Sequence, residues 1–361
     1  MTADRSGSTS LILSHTLRMV AWEITRSCNL ACRHCRASAR YGPYEGEFSG
    51  KECRTLLDDI TSVGNPVVIL TGGEPYLRAD IFEIAAYGTG KGLRMVLATN
   101  GTMVTREIAQ RTKAAGIQRV SISIDGPDPE SHDSFRGVAG AFDGALAGIE
   151  EFRRAGVEFQ INTTITRQNL NHMDTLMNLA VELGAAAHHV FLLVPTGRAR
   201  DMAVESVAAE DYENILTRFY EKSLCTSIQL KATCAPQYYR IVHTQKKGKR
   251  EHALPSSPLH AMTRGCMGGV SFCFISHRGI VQPCGFLELE CGDLKKLRFA
   301  DIWNESKVFS DLRDLGRLKG KCGSCEFVRV CGGCRARAYE VHGDYLAEEP
   351  FCMFKGSGLD F

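Results

Sequence analysis

The sequence predicts an α/β protein in which a partial, TIM-like (β/α)6 barrel precedes a cysteine-rich C-terminal domain organised by metal ligation. Two observations carry this reading. Between about residues 19 and 193, six short runs rich in β-branched residues alternate with helix-like stretches, the rhythm of βαβ units around a parallel sheet. From Cys266 to Cys352 that rhythm is lost, glycine is frequent and nine cysteines occur, so metal ligation stands in for part of a hydrophobic core. A chain of 361 residues has room for both parts.

The expected strands are 20–25, 66–71, 94–99, 119–125, 158–166 and 188–194. Amphipathic stretches at 50–63, 105–115 and 140–155 supply the helical cover that a parallel sheet needs. After Pro195 come a helical stretch near 209–224, a basic run at 246–250 and a Pro/Ser-rich stretch at 254–259, which read as a bridge. The expected division is therefore a barrel at 15–200, a bridging segment at 201–264 and a cysteine-rich domain at 265–361.

With 44% hydrophobic residues, 23% charged residues and a net charge of +2, the composition is that of an ordinary globular protein and does not point to a nucleic-acid partner. The N-terminal stretch lacks a basic region followed by a long apolar one, and no later run is long and apolar enough for a bilayer, so a cytoplasmic location without membrane contact is expected. In a large chain without a signal, fifteen cysteines argue for metal or redox chemistry rather than disulfides.

Directly after the first strand, Cys28, Cys32 and Cys35 form C-x3-C-x2-C. Iron–sulfur clusters usually take four thiolates, so three leave one iron open to an external ligand. A zinc knuckle or three unrelated thiols would also satisfy the spacing. The second strand ends in Thr71-Gly-Gly-Glu-Pro75, where small residues allow close backbone approach and a carboxylate can accept from an ammonium group.

Taken in this order, the two motifs resemble the radical S-adenosylmethionine (SAM) family over roughly residues 15–200. The resemblance implies a partial (β/α)6 TIM-like radical SAM barrel with its active site at the strand C-termini. It implies a [4Fe-4S] cluster bound by Cys28, Cys32 and Cys35 and by SAM, whose reductive cleavage yields a hydrogen-abstracting 5′-deoxyadenosyl radical. It further implies that Gly72, Gly73 and Glu74 hold the methionyl amine, that Asn100, Ser123 and Asp125 lie near the ribose and carboxylate, and that Arg136 meets the carboxylate. For Asn100, Ser123 and Asp125, turn chemistry at strand ends is an equal alternative. His34 departs from the family pattern, which commonly has an aromatic residue before the third cysteine.

Cys322, Cys325, Cys331 and Cys334 form C-x2-C-x5-C-x2-C, followed by Cys352 and preceded by Cys266, Cys273 and Cys284. Eight thiolates suit two four-cysteine clusters, and CxxC pairs also suit zinc ribbons. The pattern, with Gly279-x4-Cys284, resembles the SPASM extension of radical SAM proteins, although that family usually has three residues before the last clustered cysteine. By resemblance, the whole is a radical SAM barrel with a C-terminal cysteine-rich SPASM-type iron-sulfur domain carrying one or two auxiliary [4Fe-4S] clusters. One would be held by Cys322, Cys325, Cys331 and Cys352, the other by Cys266, Cys273, Cys284 and Cys334. Cys53, Cys225, Cys234 and Cys291 stand outside both sets, Cys53 as a small buried hydrophobe.

Residues 22–30, 230–240 and 265–279 resemble the haem-biosynthesis branch of SPASM proteins. This implies as substrate iron-coproporphyrin III or a related tetrapyrrole, with decarboxylation of two propionates to vinyl groups giving haem b, and a reduced flavodoxin or ferredoxin-type electron donor. The alternatives are deacetylation of didecarboxysirohaem, haem d1 biosynthesis and, further away, peptide maturation, whose enzymes often carry a leader-binding segment that the short N-terminus leaves no room for. A polycarboxylate calls for cations, and Arg198, Lys231, Arg240 and Arg264 are candidates. His188, His189 and His243 are possible iron ligands with none assigned, and Tyr238 and Tyr239 read as packing residues.

Overall fold

The computed structural model describes residues 16–246 and 264–354. The basic run beyond Lys246 and the Pro/Ser-rich stretch at 254–259 lie outside the described residues.

The first part alternates as expected: β1 (Met19–Thr25), α1 (Gly50–Val63), β2 (Val67–Gly72), α2 (Ile81–Gly90), β3 (Arg94–Thr99), α3 (Arg106–Ala114), β4 (Arg119–Ser123), α4 (Pro129–Arg136), α5 (Ala141–Ala155), β5 (Glu158–Ile165), α6 (Met173–Glu182) and β6 (Ala187–Leu192). Local chemistry sets the helix ends. Ser49 and Glu52 form a reciprocal capping box at the start of α1. Asp128 caps α4 ahead of Pro129, and Gly137 closes that helix in the left-handed conformation at φ 72°.

The parallel sheet does not stop at six strands. α7 (Ala209–Ser223) leads into β7 (Gln229–Thr233), which pairs parallel with β6, and α8 (Gln237–Lys246) follows. Beyond the undescribed stretch come β8 (Phe272–Ile275), β9 (Ile280–Gln282), β10 (Gly292–Asp293), α9 (Phe299–Glu305), α10 (Lys307–Arg313), α11 (Gly320–Ser324) and α12 (Arg335–His342). Among the described residues, the sheet has ten strands in the order β10-β9-β8-β1-β2-β3-β4-β5-β6-β7. Because β8 pairs parallel with β1, it covers a backbone edge that would otherwise be open. The bridging segment and the cysteine-rich region thus both build on to the sheet instead of standing apart from it.

Strand alternation divides the two faces. Val20, Trp22, Val68, Leu70, Met95, Leu97, Val120, Ile122, Phe159 and Ile161 join α1, α2, α3, α5 and α6 in the main apolar core. Val190, Leu192, Leu230 and Ala232 pack with Tyr212, Ile215, Leu216 and Phe219 of α7 in a second one. The intervening residues, among them Glu23, Ser121, Ser123, Gln160, Asn162, His189 and Lys231, line the opposite, inner face. Its polarity leaves this face suited to a ligand rather than to a core. Among the described residues, no helix is long and apolar enough to cross a membrane.

Candidate active site

The loop after β1 carries the first three cysteines at the C-terminal edge of the sheet. Cys28 and Cys32 are buried with Leu30, Ala37, Ala39 and Ala141, and Cys35 packs against them. Each sulfur faces a donor: the Leu30 N–H reaches Cys28 Sγ at 3.4 Å, the Ala39 N–H reaches Cys35 Sγ at 3.4 Å, and Arg136 Nη1 reaches Cys32 Sγ at 3.6 Å. Burial pushes the Cys28 thiol up to about 12 and raises Cys32 as well, the latter opposed by Arg136. A metal-bound thiolate would reverse that penalty and use the donors fully, so the residues present fit a three-cysteine cluster.

Gly72 and Gly73 clamp this loop. Gly72 ends β2 and Gly73 follows it, and a Cβ on Gly72 or Gly73 would overlap the Thr25 or Ser27 carbonyl oxygen respectively. The Gly73 N–H donates to the Thr25 carbonyl at 2.9 Å and the Glu74 N–H to the Ser27 carbonyl at 2.8 Å. The close approach served by these glycines is therefore to the cysteine loop itself. Glu74 is fully buried, and its carboxylate accepts from the Thr99 hydroxyl at 2.9 Å, the Asn100 N–H at 2.8 Å and the Tyr76 N–H at 3.2 Å. These bonds brace the ends of β2 and β3. Burial raises it to about 7 despite these donors.

The remaining predicted residues cluster at the same edge. The Asn100 side chain donates to Asn29 Oδ1 at 2.8 Å and accepts from the Thr102 N–H at 2.9 Å, tying β3 to the cysteine loop. Asp125 lies just beyond β4, accepts from the Thr164 N–H at 2.6 Å and pairs with Arg136. Burial pushes the Asp125 carboxyl up against the pull of Arg136. Arg136 Nε is buried without a hydrogen-bond partner, a donor left over beside the Cys32 sulfur. Ser123 ends β4 on the inner face. His34 stacks on Phe135 with ring centroids 4.3 Å apart, so the pair supplies the aromatic surface that the sequence lacks at that position.

The C-terminal cysteines converge in two groups. Cys322, Cys325, Cys331 and Cys352 line one pocket with Gly332 and Gly333. Both glycines are left-handed, at φ 73° and 63°, and a Cβ on Gly333 would stand 3.1 Å from Cys322 Sγ. Backbone N–H groups of Phe327, Gly333 and Glu349 donate to Cys325, Cys331 and Cys322 sulfurs at 3.4, 3.4 and 3.3 Å. Among the described residues, no three His, Cys, Asp or Glu side chains close on one point in the manner of a single-ion site. A cubane asks less of its ligands, because each thiolate binds a different iron.

The second group differs from the expected one. Cys284 and Cys334 are joined by Cys234 in one apolar cluster. Burial pushes the Cys234 thiol well up, reinforced by its neighbours Cys334, Cys284 and Cys266. Cys273 is not in this group. Alternation along β8 turns it, with Ile275, into the main core beside Phe299 and Phe309, and the thiol acting on it is Cys291. Cys234 follows β7 directly and, among the described residues, is one of two non-glycine residues with positive φ, at 56°. Its only signal in the sequence is a cysteine at the end of an unrecognised strand. Glu349 links the two groups: it accepts from the Cys334 N–H at 2.6 Å and from Arg337 at 3.0 Å, while its own N–H points at Cys322.

Of the candidate cations, Arg198 donates to the Cys32 and Ala39 carbonyls, both at 2.7 Å, and so braces the first cysteine loop. Arg240 pairs with Glu213 and lines the Cys322 pocket. Arg264 lies beside Gly332, its Nε buried and unpartnered. Lys231 alone of the four lies on the inner face. His188 faces the helices, bonded to Thr163 Oγ1 at 2.8 Å, and burial pushes it down to about 4. His243 is exposed against Phe327, and Tyr238 packs on Phe219 at 5.6 Å. Sequence reasoning missed Glu23, a fully buried acid on β1 that holds Arg26 at 2.9 Å, Arg36 at 3.0 Å and His277 at 2.7 Å. A lone glutamate within an apolar strand was the available signal.

The sequence profile of the radical SAM superfamily matches residues 22–180, and that of the SPASM iron-sulfur cluster-binding domain matches residues 266–335. The AdoMet-dependent heme synthase of Nitratidesulfovibrio vulgaris is 54% identical over 343 residues, covering 95% of this chain and 94% of the relative. The Fe-coproporphyrin III synthase of Methanosarcina barkeri is 32% identical over 349 residues, covering 92% of this chain and 87% of the relative. The crystal structure of Streptococcus suis SuiB bound to its precursor peptide SuiA superposes with a TM-score of 0.74 at 16% identity, covering 94% of this chain and 76% of that one, and so shares the fold. The protein binds a [4Fe-4S] cluster and SAM in its first part and auxiliary iron–sulfur clusters in its C-terminal part. The chain belongs to the radical SAM superfamily, in the haem-biosynthesis branch of its SPASM-bearing members.

Proposed function

We propose that this enzyme converts two propionate side chains of iron-coproporphyrin III to vinyl groups, giving haem b. The observation that carries the reading is the gradient of similarity, 54% identity to an AdoMet-dependent heme synthase against 32% to an Fe-coproporphyrin III synthase. When bound, SAM and its cluster supply a radical that takes one hydrogen atom from the substrate. Each propionate then loses carbon dioxide and one electron to become a vinyl group, so an electron acceptor is required.

The chain's own residues serve three tasks in this reading. Cys28, Cys32 and Cys35 hold the first cluster, on a loop clamped by Gly72, Gly73, Asn100 and Arg198. Arg136, steadied by Asp125, offers its unpartnered Nε to a carboxylate of SAM, and Ser123 lies within the same edge. Cys322, Cys325, Cys331 and Cys352, together with Cys234, Cys266, Cys284 and Cys334, provide two four-thiol settings for redox groups. A reduced flavodoxin or ferredoxin-type protein is the fitting electron donor.

The test is anaerobic incubation of the reconstituted enzyme with SAM, reductant and iron-coproporphyrin III. A product two carboxyl groups lighter is expected. Unchanged substrate, with turnover of didecarboxysirohaem instead, overturns the proposal in favour of deacetylation.

A further inference from the structure

Strand register sets four inner-face residues in one row across the sheet. Ser123 pairs with Asn162, Asn162 with His189, and His189 with Lys231. Leu230 and Ala232, on either side of Lys231, face the helices in the second apolar core, so the lysine stem must leave on the opposite side. Around it the row holds no acidic side chain: Gln160 Nε2 lies 2.9 Å from Asn162 Oδ1 and 3.0 Å from His189 Nδ1. Among the described residues, no carboxylate pairs with the Lys231 ammonium. One step further along, Phe191 pairs with Thr233, whose Oγ1 is buried without a partner.

An ammonium group turned inward without a counter-charge is costly, and proteins normally offset that cost with an anion. The cost is visible in the lysine itself, which burial alone pushes down to about 8. A free cation, an unused hydroxyl and an aromatic ring on one face are complementary to a flat apolar ligand bearing a carboxylate.

We infer that Lys231 is the anchor for a carboxylate side chain of the substrate, with Thr233 as a second donor and Phe191 against the macrocycle. The inference rests on the tetrapyrrole reading above. It makes Lys231 a binding residue that sets which edge of the macrocycle faces the first cysteine loop.

The test is equilibrium titration of the holoenzyme, followed in the Soret band, with iron-coproporphyrin III and with its tetramethyl ester, which has the same ring and no carboxylate charge. The wild type is expected to prefer the acid. Lys231→Met should bind the acid about 10- to 100-fold more weakly, the usual value of a charged hydrogen bond, and lose the preference over the ester, while Lys231→Arg should keep most of it. Lys231→Gln serves as the second variant should methionine disturb folding, and iron content checks each preparation. If Lys231→Met and Lys231→Gln bind the acid as the wild type does, the anchor is refuted and the function reading stands. If the wild type binds neither tetrapyrrole, the function reading falls and takes the anchor with it.

Discussion

Replacing Cys234 and Cys273 separately with alanine should produce opposite failures. Cys234 is one of four converging thiols, so Cys234→Ala removes a ligand and should lower iron by up to about four atoms per chain. Cys273 is fully buried in the apolar core, away from that group. Cys273→Ala should keep the iron and cost about 1–2 kcal/mol of stability, the scale for deleting one methyl-sized group from a packed core. Backbone strain separates ligation from stability at Cys234. Its φ of 56° costs a non-glycine residue roughly 1 kcal/mol, so Cys234→Gly should relieve strain and still lose iron. Iron and sulfide analysis and low-temperature EPR of anaerobically reconstituted protein read the first effect, and urea unfolding reads the second. Iron loss in Cys273→Ala equal to that in Cys284→Ala, with Cys234→Ala retaining its iron, would refute the grouping.

Two further outcomes follow from residues that brace the first cysteine loop. Gly73→Ala puts a Cβ 2.6 Å from the Arg26 carbonyl oxygen and closer still to that of Ser27, a backbone collision that should cost about 2–4 kcal/mol and lower iron retention, as iron analysis and urea unfolding would show. Although burial opposes it, the Glu23 carboxyl is held down from 4.5 to about 2 by Arg36, His277 and Arg26. Its contribution is therefore fully present above 4.5 and disappears as pH falls towards 2, roughly 3 kcal/mol in all. The stability deficit of Glu23→Gln relative to wild type should shrink across that window, and a deficit independent of pH would show that Glu23 is not charged in the folded state.

Much of the site was legible because its parts are local. The three thiols of the first loop are close in sequence, and one loop after a strand brings them together whatever the rest of the chain does. The strands of the first six units followed from β-branched runs and appear within two residues of their expected ends. The seventh and eighth parallel strands did not: β7 is Gln-Leu-Lys-Ala-Thr, with a lysine at its centre, and β8 lies among cysteines whose spacing suggested ligands. Once β8 was unseen, the turn of Cys273 into the main apolar core was unseen too. The same gap hid Cys234, which reaches its partners only because β7 ends there.

The role of Glu74 shows the converse limit. Its motif is plain in the sequence, but which donors its carboxylate meets depends on where β3 ends beside it. The sequence by itself determined the alternating fold, the open-sided three-thiol loop and the presence of further ligand sets, since periodicity and short spacings are properties of neighbouring residues. Only the tertiary structure decided which distant thiols share a group, and which polar residues share the inner face. Pairing across strands and the direction of each side chain are settled when the sheet closes over its core.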